Sequence, residues 1–253
     1  MNPRTLTQAL TAPTAAFTLA LAVLVLGTAA NAAVIVADDF NDKTDGQLGG
    51  QGGGYNGTGA WTSDWAGTAY NIVSGELRGK NGEDVRTFSG IAQGETVYFG
   101  ATFYQPSSDN MRFSVDLNGR DWTFGLRDNK YSLDGGKTGS TPLATYVRIV
   151  LRLEQNYNGT QDRMQMYWDN FEDGTFDVSE ANPGATKAGE FFSDPITALS
   201  IHGVALGPLM RLDDLNIVTT FREAGNATTP EPATLALLGL GAAAMLAGRK
   251  RRA

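Results

Sequence analysis

The sequence predicts an all-β fold, a two-sheet antiparallel β-sandwich of jelly-roll type, and three observations carry that reading. Apolar and polar residues alternate along short windows, clusters of Asp, Asn, Gly and Pro separate those windows, and no window keeps an amphipathic helical pattern of comparable length. A chain of 253 residues, 42% of them hydrophobic, is long enough for one well-buried domain or at most two small ones. Two antiparallel sheets packed face to face suit that size.

Two terminal blocks stand outside the strand pattern. The first, Ala15 to Gly27, is thirteen residues without a charge, preceded by Arg4 and followed by small residues at Ala30 and Ala32. That layout is a secretory signal peptide over 1–32, cut by signal peptidase after Ala32, because the run is short for a membrane span of about 20 residues. The second block closes the chain. Pro230, Glu231 and Pro232 precede Ala233 to Gly248, sixteen residues of which only Thr234 is polar, and then Arg249, Lys250, Arg251 and Arg252. A helix of that length reaches about 24 Å, enough to cross a hydrocarbon core if the arginines snorkel. The basic cluster would stay on the cytoplasmic side of the inner membrane, leaving the chain before Pro230 outside.

Between the blocks, 33–224 is read as the sandwich and 225–229 as a linker. In Thr145 to Glu154, "TYVRIVLRLE", Val147, Ile149, Leu151 and Leu153 share one face and Arg148 and Arg152 the other. Met164, Met166 and Trp168 alternate in the same way. "MRFSVDL" and "DWTFGL" flank Asn118-Gly119, a tight hairpin signal. "TVYFGATF", "ALSIHGVAL" and "MRLDDLNIV" are further strands. In the last of these the apolar set runs Met210, Leu212, then Leu215, Ile217, so parity shifts across Asp213-Asp214 and predicts a β-bulge.

The closing stretch "TPEPATLALLGLGAAAMLAGRKRR" resembles the PEP-CTERM sorting signal of exported bacterial proteins. That resemblance implies handling by exosortase, a membrane transpeptidase or protease acting near the Pro-Glu-Pro triplet, in Gram-negative bacteria that make exopolysaccharide. It implies a membrane-tethered precursor over 230–253, then a protein of the cell surface or extracellular matrix. The flanking prolines suit recognition because they hold an extended backbone and present the Glu231 carboxylate at a set height.

Three further stretches, "DDFNDKTDGQLGGQGGGYNGTGAW", "MQMYWDN" and "LDDLNI", resemble concanavalin A-like or laminin-G-like jelly rolls. The resemblance implies that the chain ends pair as adjacent strands, bringing Asp38 and Asp39 near Asp213 and Asp214. Four carboxylates there would suit calcium, which takes hard oxygen ligands; the plain alternative is that Asp213 and Asp214 face solvent.

Removing both terminal blocks lowers Lys+Arg from 20 to 15 and Asp+Glu from 27 to 26, so the segment 33–229 carries a net charge near −11. Nucleic acid is excluded as a partner, because a binder of phosphates needs the opposite sign. There is no cysteine, so a sizeable core rather than disulfides must stabilise the exported domain.

Catalytic sets are sparse. His202 is the only histidine and lies on an apolar strand pattern, which predicts a buried, hydrogen-bonded side chain and leaves no Ser-His-Asp triad or zinc site. The alternating Glu-x-Asp-x-x-Glu pattern of jelly-roll glycosidases is absent from the sequence. Tyr55, Trp61, Trp65 and Tyr70 could form a sugar-stacking platform, or the tryptophans could plug the end of the sandwich. The reading is therefore a non-catalytic structural or glycan-associated protein, with exopolysaccharide or other glycans as partners. The alternatives are a secreted polysaccharide-active enzyme with atypical carboxylates, and an adhesin.

Overall fold

The computed structural model describes residues 34–57, 59–79, 82–92, 94–105, 112–118, 123–190, 195–204 and 210–226. The expected signal peptide, the Pro-Glu-Pro triplet, the apolar stretch after it and the basic cluster lie outside the described residues. Among the described residues no helix is long and apolar enough to cross a membrane.

Among the described residues there are seventeen strands and one short helix. In chain order the strands are β1 (Val34–Asp38), β2 (Gly46–Gln47), β3 (Tyr55–Asn56), β4 (Ala66–Gly67), β5 (Asn71–Val73), β6 (Glu76–Arg78), β7 (Gly82–Ile91), β8 (Thr96–Gln105) and β9 (Arg112–Leu117). They continue as β10 (Thr123–Arg127), β11 (Lys130–Leu133), β12 (Gly136–Thr138), β13 (Thr145–Glu154), β14 (Asp162–Asn170), β15 (Ala185–Gly189), β16 (Ile196–Val204) and β17 (Arg211–Val218), followed by helix α1 (Phe221–Gly225).

The strands form two antiparallel sheets, as the sequence predicts. The larger runs β15-β14-β13-β8-β17-β6-β5-β2, with β1 also paired to β17 and to β3; the smaller runs β12-β11-β10-β9-β16-β7-β4. Each sheet turns its alternate apolar residues inward. Phe99, Phe103, Ile149, Leu151, Met166, Leu212 and Ile217 from the larger sheet share one core with Val115, Leu117, Phe124, Leu126, Leu199 and Ile201 from the smaller. The chain ends do pair: Asp38 sits opposite Leu215 in the β1–β17 ladder. The predicted bulge is present too, since the β17–β8 register shifts between Asp213 and Asn216 and Asp214 has a φ of 49°. The β9–β10 hairpin forms as expected, with Asn118 at a φ of 53°.

One element was not expected. Thr220 caps α1: its hydroxyl oxygen accepts from the Glu223 N–H and its hydroxyl donates to the Glu223 carboxylate. Phe221 packs on Tyr167, Phe176 and Tyr98, and this helix covers the outer face of the larger sheet with a second, smaller apolar cluster. Gly100 makes the close approach possible, because a Cβ there would lie 2.2 Å from the Ala224 carbonyl oxygen. Gly225 and Asn226 thus belong to the folded body rather than to the linker.

Candidate functional site

The expected metal and sugar residues are separated by the fold. Asp38 points into the sandwich beside Leu215 and is wholly buried. Its Oδ1 accepts from Lys43 Nζ at 2.8 Å and the Phe40 N–H at 3.1 Å; its Oδ2 accepts from Arg86 at 2.7 Å and Trp65 Nε1 at 2.9 Å. Two carboxylate oxygens offer about four lone-pair sites, so this group is saturated and cannot serve as a calcium ligand. Its near neighbours Asp39 and Asp42 could share an ion with it by distance. Asp42, however, already accepts from Lys43 Nζ and the Gly54 N–H.

Burial, with the adjacent Asp214 charge adding to it, pushes the Asp213 carboxyl up to about 8, and burial pushes Asp214 to about 6 against the pull of Arg148. The Asp39 charge raises both, but among the described residues the acidic group whose ligand atoms lie within one ion's reach is Asp38, Asp39 and Asp42.

The aromatic set divides as well. Trp65 and Tyr70 are core residues, 1% and 0% exposed, so no sugar ring reaches them. Trp61 is half-buried; its indole N–H donates to the Ala37 carbonyl, and the Arg86 guanidinium lies 4.2 Å from its ring centre. Beside it is an open cleft of about 470 Å³ lined by Gly53, Asn56, Thr62, Ser63 and Asp64. Tyr55, also half-buried, packs beneath α1. Trp65 thus belongs to the core, whereas Trp61 lines the open cleft with Arg86.

A different constellation lies on the outer face of the smaller sheet. Directly opposed residues in an antiparallel ladder share a face. Ser200 opposes Asp116, which opposes Thr123; in the next row His202 opposes Ser114, which opposes Gly125, which opposes Ser132. The opposite parity of the same strands supplies Ile201, Val115, Phe124 and Leu133 to the core. Outward positions on a solvated sheet commonly carry long charged side chains, whereas these are small and polar. Thr123, Ser132 and Ser200 are each 2% exposed or less, and their hydroxyl oxygens find no hydrogen-bond partner. Unmade hydrogen bonds of this kind cost about 1–3 kcal/mol each, and at this burial the three hydroxyls are closed to an outside ligand, which leaves His202 as the accessible polar group of the row.

His202 corrects the sequence reading: its side chain is 32% exposed and its Nδ1 lies 3.6 Å from Asp116 Oδ2. The Ser114 hydroxyl donates to the other oxygen of Asp116 at 3.1 Å. Serine and histidine both turn to the aspartate instead of to each other, so the trio lacks the serine–histidine contact that activates a nucleophile. What the face offers is imidazole hydrogen bonding, backed by the Asp116 carboxylate and the Ser114 hydroxyl. Sequence alone hid it because the rows appear only once the register of four strands is known; the signal available was the run of Ser, Asp, Thr and His at outward parity.

Comparison with family models matches the chain's end. Residues 228–252 are a PEP-CTERM protein-sorting motif. The PEP-CTERM motif marks an exported, membrane-anchored precursor processed by exosortase. Pro230, Glu231, Pro232 and the cluster Arg249, Lys250, Arg251 and Arg252 all fall within it. No curated protein matches the chain. Among solved structures the chain is similar to the T. cruzi calreticulin globular domain, with 12% identity, coverage of 75% of this chain and 89% of that one, and a TM-score of 0.41. It is also similar to the exoplasmic/lumenal domain of VIP36 in its Ca2+/Man3GlcNAc-bound form, with 10% identity, 69% and 87% coverage and a TM-score of 0.39. The sandwich itself rests on the strand pairing described above.

Proposed function

We propose that this protein is a non-catalytic, glycan-binding component of the bacterial envelope or extracellular matrix, and that the outer face of its smaller sheet holds the glycan. The observation that supports the reading is the row of short polar side chains around Asp116 and the part-exposed His202, whose imidazole a polyol can reach. A polyol chain presents donors and acceptors on every residue, so it bonds to such a face where an apolar ligand would not. The acidic surface disfavours anionic polymers, which points to neutral or weakly charged polysaccharide. Signal peptidase and exosortase are the processing partners on this reading, and the precursor meets the inner membrane before release.

Calcium is the cation that Asp213 and Asp214 suit, with Asp39 nearby and without Asp38. Burial raises the proton affinity of Asp213 and Asp214, and neighbouring negative charge, which a divalent ion would relieve, adds to it. No step in glycan binding depends on that ion.

Binding of exopolysaccharide isolated from the producing bacterium, measured for the wild type and for His202→Ala and Asp116→Asn, tests the proposal. Saturable binding weakened in both variants supports it. Release of reducing ends during the assay, abolished by changing one carboxylate, would instead make the protein an enzyme.

A further inference from the structure

Arg148 is wholly buried on the outer face of the larger sheet. A guanidinium has five N–H donors, and here all five are used. Nε donates to the Ala224 carbonyl at 3.0 Å, one terminal nitrogen to Thr102 Oγ1 at 3.0 Å and the Asp214 carbonyl at 2.6 Å, and the other to the carbonyls of Ala224 at 2.7 Å and Asn226 at 3.2 Å. Asn216 adds amide bonds to the carbonyls of Glu223 at 3.2 Å and Asn226 at 3.1 Å. A single buried cation and one amide thus hold the carbonyls in which a helix C-terminus ends, groups that otherwise need water or a cap. The Thr220 N-cap fixes the other end of α1, and Phe221 anchors it on Tyr167.

Among the described residues the last one held is Asn226, and the sorting motif begins at residue 228. From Asn226 to Pro230 the chain takes four steps, at most about 14 Å fully extended.

We infer that Arg148 and Asn216 form a latch that confines cleavage of the exported precursor to the chain beyond Asn226. Proteases act on extended segments, and a folded segment is cut only in proportion to its local opening. Chain before Asn226 can be offered to a protease only by breaking the Arg148 and Asn216 bonds together and withdrawing Phe221. The latch therefore shields the neck of the domain in a protease-rich compartment and leaves the sorting signal as the segment presented for processing. The inference rests on the sorting motif and not on the glycan reading, so the two fail separately.

Arg222 is exposed on α1 and supplies the probe, since trypsin cuts after it only when the helix opens. Full-length protein is digested under limiting conditions, and the fragment beginning at Glu223 is followed by mass spectrometry in the wild type, Arg148→Met, Asn216→Ala and Thr220→Ala. The expected result is a wild type resistant at Arg222, at least tenfold faster cleavage in Arg148→Met, and intermediate rates in the other two, with unchanged far-ultraviolet circular dichroism. Equal rates of cleavage at Arg222 in the wild type and the variants overturn the latch. If Arg148→Met does not fold, the comparison of the wild type with Asn216→Ala and Thr220→Ala decides alone.

Discussion

Asp38 and Arg86 meet across the interior of the sandwich, Oδ2 to guanidinium at 2.7 Å, and so join β1 of the larger sheet to β7 of the smaller. Both side chains are at most 2% exposed, and each is completed by other groups. Lys43, Trp65 and the Phe40 N–H serve the carboxylate, while the carbonyls of Ser63 and Gly53 serve the guanidinium. The glycine-rich entry segment is folded around this pair, which explains why Trp65 and Tyr70 are inside and why the segment needs glycine where it passes the ion pair. Gly54, for example, has a φ of 75° and lies against the Ala37 carbonyl.

Replacing Asp38 leaves the buried Arg86 without its carboxylate, and replacing Arg86 leaves the Asp38 carboxylate with the Lys43 cation alone to balance it. Arg86→Met or Asp38→Asn is expected to cost about 3–5 kcal/mol in urea unfolding, and the double variant to cost less than the sum of the two. Additive losses would show that the pair does not couple the sheets.

Asp213 and Asp214 predict the sign of the pH dependence. Their carboxyls titrate near 8 and 6 in the folded protein, above the ordinary value of 3.8. Between those limits the folded state holds protons that the unfolded chain has lost, so stability is greatest at low pH and falls as pH rises through about 8. With a chelator present, the melting temperature at pH 5 should exceed that at pH 8 by a few °C, on the order of 1–2 kcal/mol. Asp213→Asn should flatten the slope. A melting temperature that rises from pH 5 to 8 because of these groups would contradict the arrangement.

Calcium gives a separate outcome. At pH 8 without chelator, calcium bound at Asp213 and Asp214 should raise the melting temperature of the wild type and leave Asp213→Asn unmoved, since a ligand of the folded state stabilises by mass action. An equal rise in both would place the ion elsewhere.

The unpartnered hydroxyls make a prediction that runs against the usual direction of mutation. Replacing Ser200 by Ala or Thr123 by Val removes a buried polar group that has no bond to lose, and each change should leave stability unchanged or raise it by about 1 kcal/mol. Destabilisation by 2 kcal/mol or more would mean that the hydroxyl has a partner in the folded protein.

Much of the sandwich was legible in sequence because strand parity is local. Val147, Ile149, Leu151 and Leu153 face inward as their alternation predicts, and the phase break at Asp213-Asp214 is a bulge. Arg148 was placed on the correct face, but its burial was not foreseen, because a helix of five residues has no periodic pattern; only the Thr220 and Glu223 spacing hinted at it. Asp38 ends an uninterrupted buried strand, in which alternation cannot say which way a carboxylate points. The polar face depends on which residue of β16 opposes which of β9, a relation that lies between strands of distant sequence and in neither alone.

The most direct measurement of the central claim is the dissociation constant for the producer's exopolysaccharide, taken for the wild type and for His202→Ala, with unfolding followed on the same samples. One hydrogen bond lost, at about 1 kcal/mol, predicts roughly fivefold weaker binding by a protein that folds as the wild type does. Equal affinity in the two proteins, or no saturable binding in either, would contradict the assignment of a glycan to this face.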